Sequence, residues 1–248
     1  MAGHSKFKNI MHRKGAQDKK RAKTFSRLGK EISVSVKENG PDPEKNIRLR
    51  SAINAAKSLN MPKENIDRAI KKGEGNDPDS NYEEVRYEGY GPSGIAIIVD
   101  AMTNNKNRTA AEIRSTFSKY GGNLGETGSV SYNFKRLGSI IFDKNLVDEE
   151  ELFEFAINNG SQDFEVNQDN YTIYCDQNDL HALNEKIIKK FGSTISTELT
   201  WMSENNIKVQ KESAEKLFKL LNTLEDNEDV QSVSSNFEVT EELLQSLT

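Results

Sequence analysis

The chain has 248 residues, with 34 Lys and Arg against 39 Asp and Glu, a formal net charge of −5, 34% apolar side chains and one cysteine. So lean an apolar share argues against one large core and for several small domains with much exposed surface. No run of about 18 apolar residues is present to cross a membrane, and a lone Cys175 excludes a disulfide framework or a Cys-x-x-Cys metal site and fits a reducing compartment.

Charge is unevenly spread from the start. The first thirty residues hold ten cations (Lys6, Lys8, Arg13, Lys14, Lys19, Lys20, Arg21, Lys23, Arg27, Lys30) against Asp18 alone, a local net of +9. Folding gives no reason to gather like charges so densely. A polyanion does, because each cation that neutralises a phosphate releases a condensed counterion. The competing reading is a solvated basic arm with no dedicated partner. This stretch lacks the apolar core of a secretory signal and is Lys-rich where a transit peptide is rich in Arg and Ser. A cytoplasmic protein is expected, and the sequons at Asn107 and Asn170 read as chance matches.

Up to about Lys23 the apolar anchors are few (Phe7, Ile10, Met11), which predicts an irregular segment that orders on a partner. Phe25, Leu28, Ile32 and Val36 then recur at helical spacing until Asn39-Gly40-Pro41. Leu49, Ala52, Ile53, Ala56 and Leu59 mark a second helix. Pro62 opens a third with Ile66, Ala69 and Ile70 inside and Gly73 at its end. Residues 1–75 therefore read as a basic three-helix bundle, with nineteen Lys and Arg against eight Asp and Glu. Residues 76–248 hold fifteen against thirty-one. The sign changes at Gly73 to Pro78, the pattern of a domain boundary with a flexible joint.

Residues 76–136 change character. Glu84 to Glu88 and Gly94 to Val99 are strand-like, joined by the turn-rich Gly89 to Ser93. Thr109 with Glu112 suggests a capping box for a helix carrying Ile113, Phe117 and Tyr120. Gly121-Gly122 ends it, and Ser129 to Phe134 reads as a strand. Residues 137–204 alternate as β-α-β-β-α-β, the ferredoxin-like order, with Asp148 and Glu151 at the first helix start. Residues 205–248 add a strand, a Leu-rich helix and a strand. Being too little to fold alone, they return to the sheet begun before residue 136 and make residues 137–204 an insertion. The expected fold is multidomain α and α+β: an N-terminal three-helix bundle, a central α+β domain, and an acidic ferredoxin-like domain inserted in it.

Catalytic chemistry is not legible. His4, His12 and His181 have no second ligand at metal spacing, Cys175 sits mid-strand like a buried structural thiol, and Glu149-Glu150 or Asp226, Glu228 and Asp229 lie at helix ends as caps or solvated charge. No enzyme, no metal, no cofactor and no small-molecule substrate are expected. The loop Gly121 to Gly128 leaves a helix and enters a strand, opposite to the polarity of a phosphate cradle. It reads as a C-cap and turn, or as a projecting loop whose Gly122, Asn123 and Gly125 touch a partner. Thr103 to Thr109 reads as a loop and cap, or as a polar segment offering Asn104, Asn107 and Arg108 to a partner. The ferredoxin-like stretch lacks an RNA-recognition aromatic motif. With four basic and fourteen acidic residues it would repel phosphates, so Phe153, Phe155, Phe164 and Tyr174 are assigned to its core.

Several motifs carry a resemblance: Met1 to Lys6, His12-Arg13-Lys14, Asn60-Met61-Pro62-Lys63, Arg86 to Pro92, Asn107-Arg108-Thr109, Gly121 to Gly125 and Ser235-Asn236-Phe237. In this order, over nearly the whole chain, they resemble the YebC/PmpR family, with Phe7 where the family usually has Trp and Glu38 to Pro41 in place of a glycine-rich turn. The resemblance implies three domains, the third inserted in the second, and a cytoplasmic transcriptional regulator that binds DNA. Mitochondrial relatives are translational activators, and bacterial members have been linked to ribosomes stalled on difficult peptides. The expected nucleic-acid contacts are Lys6, Lys8, His12, Arg13, Lys14, Lys19, Lys20, Arg21, Lys23 and Arg27. DNA, or ribosomal or transfer RNA and hence the ribosome, would be the partner.

Overall fold

The computed structural model describes residues 17–75, 81–240 and 243, with backbone alone for 17–20. They fall into two compact units, one of residues up to Phe134 together with those from Ser203 on, the other of Lys135–Met202.

The first unit begins with helices α1 (Gln17–Asn39), α2 (Ile47–Ser58) and α3 (Lys63–Glu74). Their shared core is Ile32, Val36, Leu49, Ala52, Ile53, Ala56, Met61, Ile66 and Ala69, the apolar stripes that helical spacing anticipates. Helix α1 reaches further back than those anchors suggest: residues 17–23 are helical rather than irregular. Gln, Lys, Arg and Ala are good helix formers, and no Gly or Pro interrupts them before Gly29. At the other end Gly40 takes φ +84° and its amide bonds Val36 O at 2.7 Å. Buried Asn46 accepts from the Leu49 amide at 3.0 Å and donates to Ser35 O and Gly40 O, so one side chain caps α2 and ties down the end of α1. Gly73 does not end α3, which continues to Glu74. It is a contact residue: a Cβ there would lie 2.5 Å from Ser33 O and 2.7 Å from Val36 Cβ. Across the same seam the Ser33 hydroxyl reaches Ala69 O at 2.8 Å.

Strands β1 (Glu83–Tyr90) and β2 (Ala96–Thr103) follow as an antiparallel pair. Helix α4 (Lys106–Lys119) starts three residues before Thr109 because Asn105 is its cap, accepting from the Arg108 amide at 3.1 Å. Thr109 falls in the first turn, and its hydroxyl is committed elsewhere. A two-residue strand, β3 (Asn123–Leu124), pairs with β1. Residues 131–133 form a 3₁₀ turn, not the strand that their composition suggests.

The second unit runs β4 (Phe134–Asp143), α5 (Glu149–Asn158), β5 (Ser161–Val166), β6 (Asn170–Asp176), α6 (Leu180–Phe191) and β7 (Ser196–Ser203). Its sheet order is β5-β6-β4-β7, the ferredoxin-like arrangement. Asp148 caps α5 through the Glu150 amide at 3.0 Å. Ile140, Phe142, Leu152, Ala156, Ile173, Leu183 and Ile187 fill the core, with Phe155 and Phe164 packed against it. Tyr174 is buried too, but Phe153 is not a core residue: it is 44% exposed. Cys175 is buried, and burial first, then Asp179 and Asp176, pushes its thiol up to about 11, which leaves it inert at neutral pH.

The chain returns as β8 (Ile207–Lys208), α7 (Lys211–Asp226), β9 (Val230–Ser235) and β10 (Phe237–Glu238). Strand β9 pairs with β2 and completes the sheet β3-β1-β2-β9, while β10 pairs with β8. Helices α4 and α7 cover it through Ile113, Phe117, Leu217, Leu221 and Leu224 against Ile97, Val99 and Val233. Exit and re-entry lie side by side, the Glu204 amide bonding Asn133 O at 2.9 Å. Buried Asn236 locks the return, accepting from the Ala96 amide at 2.8 Å and donating to Asn205 O at 3.1 Å. The protein is thus a three-helix bundle followed by an α+β body that carries an inserted ferredoxin-like unit.

Candidate nucleic-acid interface

Lys6, Lys8, His12, Arg13 and Lys14 lie outside the described residues, as do Asn76 to Pro78 of the suggested joint. Lys19 and Lys20 are placed as backbone on the first turn of α1. From Arg21 on, the helix sorts its cations by face. Arg21 is exposed, its guanidinium 5.3 Å from the Phe25 ring centroid and 3.4 Å from Asn60 O. Lys23, Arg27 and Lys30 recur at i, i+4 and i+7 and form one inward row facing the C-terminal end of α7. Arg27 donates to Glu225 O at 2.9 Å, Lys23 Nζ lies 3.8 Å from Asp226, and Lys30 donates to Glu228 O at 2.9 Å. The negative end of a helix dipole is a natural seat for cations. Burial first, then Arg27, lowers the Lys23 ammonium to about 8, against the pull of Asp226, Glu225 and Glu228.

The row ends in a buried charge cluster. The Asp229 side chain is 7% exposed, and its Oδ1 accepts from Lys30 Nζ at 2.8 Å. Its Oδ2 accepts from Arg108 at 2.7 Å and lies 2.7 Å from the Thr109 and 3.1 Å from the Thr103 hydroxyl. Burial pushes this carboxyl up, but the hydrogen bonds from Lys30, Arg108 and Thr109 outweigh it and hold the group well below the usual carboxylate range. Asp229 is therefore neither a cap nor solvated charge, as its place after a helix suggests. It fastens α1 to α4 and β9, and it gives the Asn107-Arg108-Thr109 motif a structural task. Arg108 spans Asp229 and Asn104 Oδ1, the latter at 3.3 Å, while Asn107 stays exposed.

The glycine loop is held by a second buried carboxylate. Glu88 Oε2 accepts from the Val130 and Ser131 amides, both at 2.9 Å, and Glu88 O accepts from the Gly125 amide at 2.8 Å. Burial would raise the Glu88 pKa; the amides of Val130, Gly128 and Ser131 lower it overall. The Val130 and Ser131 amides are thus committed to a carboxylate, and those of Ser129 and Asn133 to Glu126 O and Val130 O, which keeps this segment out of a strand ladder. Gly122 packs closely, a Cβ there falling 2.6 Å from Tyr90 O, and Asn123 pairs with Tyr90. Among the sequence-predicted loop residues, Gly122, Asn123 and Gly125 are thus brought together on β1, and Asn104 and Arg108 at Asp229. Beside the loop Tyr132 is 70% exposed, and its hydroxyl lies 3.4 Å from that of Tyr90.

Sequence reasoning misses Arg48 altogether. It pairs with Glu31 at 2.6 Å, Glu38 at 2.8 Å and also Glu84, linking α1 and α2 to β1. An exposed-looking Arg in a basic domain carries no signal of such a role. Among the described residues no cluster of three His, Cys, Asp or Glu could hold a metal ion, and no helix is long and apolar enough to cross a membrane.

Comparison with known proteins agrees with this architecture. Residues 5–76 match the model of the TACO1/YebC protein N-terminal domain, and residues 82–237 that of the TACO1/YebC second and third domain. The crystal structure of a conserved hypothetical protein from Aquifex aeolicus is similar at 45% identity with a TM-score of 0.84, over 89% of this chain and 91% of that one. Matched by these two models over nearly its whole length, the chain belongs to the TACO1/YebC family, whose members are regulator-type proteins.

Proposed function

We propose that this protein is a cytoplasmic, non-enzymatic regulator of gene expression that grips nucleic acid with its basic N-terminal helical region. The observation that supports the reading is the division of charge: nineteen Lys and Arg against eight acids over residues 1–75, and fifteen against thirty-one thereafter. Lys23, Arg27 and Lys30 are partly neutralised by the α7 end and seat the helix. Phosphate contacts then fall to Lys6, Lys8, Arg13, Lys14, Lys19, Lys20 and Arg21, with His12 adding a hydrogen bond. Such contacts confer affinity with a steep salt dependence and need no base readout. The acidic remainder limits indiscriminate coating of nucleic acid.

Duplex DNA at promoters is the first partner. A ribosome- or RNA-associated translation factor is the second reading, favoured by a Lys-rich leader of the kind that orders on RNA. Changing Lys19, Lys20 and Arg21 together to Glu is expected to abolish binding to both duplex DNA and RNA while leaving the circular dichroism spectrum intact; unchanged affinity at matched salt would remove the assignment. Sucrose-gradient sedimentation at low and high salt separates the partners. Salt-sensitive co-migration with ribosomal particles supports translation, whereas a protein that stays at the top yet footprints a promoter supports transcription.

A further inference from the structure

The ferredoxin-like unit carries an apolar strip that its own fold leaves uncovered. Phe153 and Ile157, one helical turn apart on α5, are 44% and 45% exposed, and Val166 at the end of β5 is 40% exposed. Phe153 meets Phe164 of β5 edge-on with centroids 5.5 Å apart, so the strip continues onto the strand. Strand β5 is the outermost of its sheet. The Asn167 amide bonds Asn170 O at 2.9 Å and closes the β5–β6 hairpin. Going back from there, Glu165 opposite Thr172 and Asp163 opposite Tyr174 are the bonded pairs. The amides and carbonyls of Phe164 and Val166 therefore point out of the sheet. Outward backbone groups beside a row of exposed apolar side chains make the geometry for strand addition.

Charge selects the occupant. Glu149 and Glu150 stand one turn before Phe153, and Glu154 one turn before Ile157, all exposed. On the opposite face of β5, Asp163 and Glu165 alternate with Phe164 and Val166. Residues 135–202 hold six basic and thirteen acidic side chains, a net of −7. Nucleic acid is repelled here, and a second copy of this edge would set acid against acid. We propose that the surface takes an extended, Lys- or Arg-rich polypeptide segment of a partner protein. The segment adds as a strand along β5, with alternate apolar side chains on Phe153, Ile157 and Val166 and the intervening cations on Asp163 and Glu165. Asp163 now caps the outward Phe164 amide at 2.8 Å. An arriving cation draws that carboxylate away and frees the amide for the segment's carbonyl.

The test titrates a synthetic peptide of about twelve residues, alternating Lys and Val, onto the full chain and reads amide hydrogen exchange. Exchange at Phe164 and Val166 should slow about tenfold at saturation, and Glu154→Lys with Asp163→Lys should weaken binding by about tenfold. Phe153→Asp should abolish it, and Val166→Asp repeats that test should the first variant unfold. A peptide of the same charge with prolines at alternate sites cannot join a ladder and should not bind. Equal binding of the proline peptide, unchanged exchange along β5, protection of the same amides by oligouridylate, or a dimer of the chain that Phe153→Asp dissociates would each overturn the proposal.

Discussion

Asp229 shows how much one side chain carries when it is sealed from water against Lys30 and two hydroxyls and clasped by Arg108 from the surface. Its attraction to Lys30, buried beside it, and to Arg108, which reaches in from the surface, offsets the cost of burying the carboxylate and the ammonium, so removing one partner is worse than removing the set. Asp229→Asn leaves Lys30 facing a neutral amide and should destabilise the first unit by about 3–5 kcal/mol in urea unfolding at neutral pH. The folded pKa lies below the ordinary 3.8, so the unfolded chain binds the proton first. The carboxylate's contribution is complete above about 4 and is lost as pH falls toward the lowered value, and Asp229→Asn should flatten that acid limb. Lys23 behaves oppositely. Its pKa is lowered from 10.5 to about 8, so below pH 8 the folded state bears the full desolvation cost of the ammonium. The cost fades as pH rises from about 8 to 10.5, so stability from this group rises with pH there. Lys23→Met should stabilise by about 1 kcal/mol at pH 7 and erase the alkaline rise. It should leave nucleic-acid affinity unchanged at matched salt, because the amine faces α7 rather than solvent.

Two glycines separate helix propensity from helix packing. Gly29 lies within α1 with nothing near where a Cβ would stand, whereas Gly73 in α3 presses on Ser33 O and Val36. Propensity alone favours alanine at both by about 0.5–1 kcal/mol. Gly29→Ala should therefore raise the thermal midpoint. At Gly73 the obstacle is a backbone oxygen, which cannot rotate away, and overpacking wins: Gly73→Ala should cost about 1–3 kcal/mol, measured by the same melts. This contrast also explains what the sequence discloses. The stripes Leu49 to Ala56 and Ile66 to Ala69 announce helices because periodicity is local, as does the β-α-β-β-α-β order. The role of Gly73, the use of Asn105 rather than Thr109 as a cap, and the capture of the Val130 and Ser131 amides by Glu88 depend on elements distant in the chain. The candidate interface divides the same way. Its charge is plain in composition, but the inward turn of Lys23 and Arg27 appears only once the α7 end at Glu225 stands opposite them.

The rest of the molecule should fold and bind without the inserted unit. Residues 135–202 enclose their own core around Ile140, Phe142, Leu152, Ile173 and Leu183, and the first unit encloses another around Phe117, Leu217, Leu221 and Val233. The two ends of the gap are already bridged by the Glu204 amide on Asn133 O at 2.9 Å, so a tight Asn-Gly hairpin turn can join residues 134 and 203 without stretching either strand. A chain shortened this way should unfold cooperatively, because nothing in the sheet β3-β1-β2-β9 draws a strand from the excised segment. Removing thirteen acids and six basic residues also shifts the net charge by +7. Affinity for duplex DNA or RNA should therefore hold or rise at low salt, with an unchanged slope against salt because the phosphate contacts stay on α1 and the leader before it. Fluorescence anisotropy across a salt series measures both. A shallower slope would place phosphate contacts within residues 135–202 and contradict the charge division on which the proposed function rests.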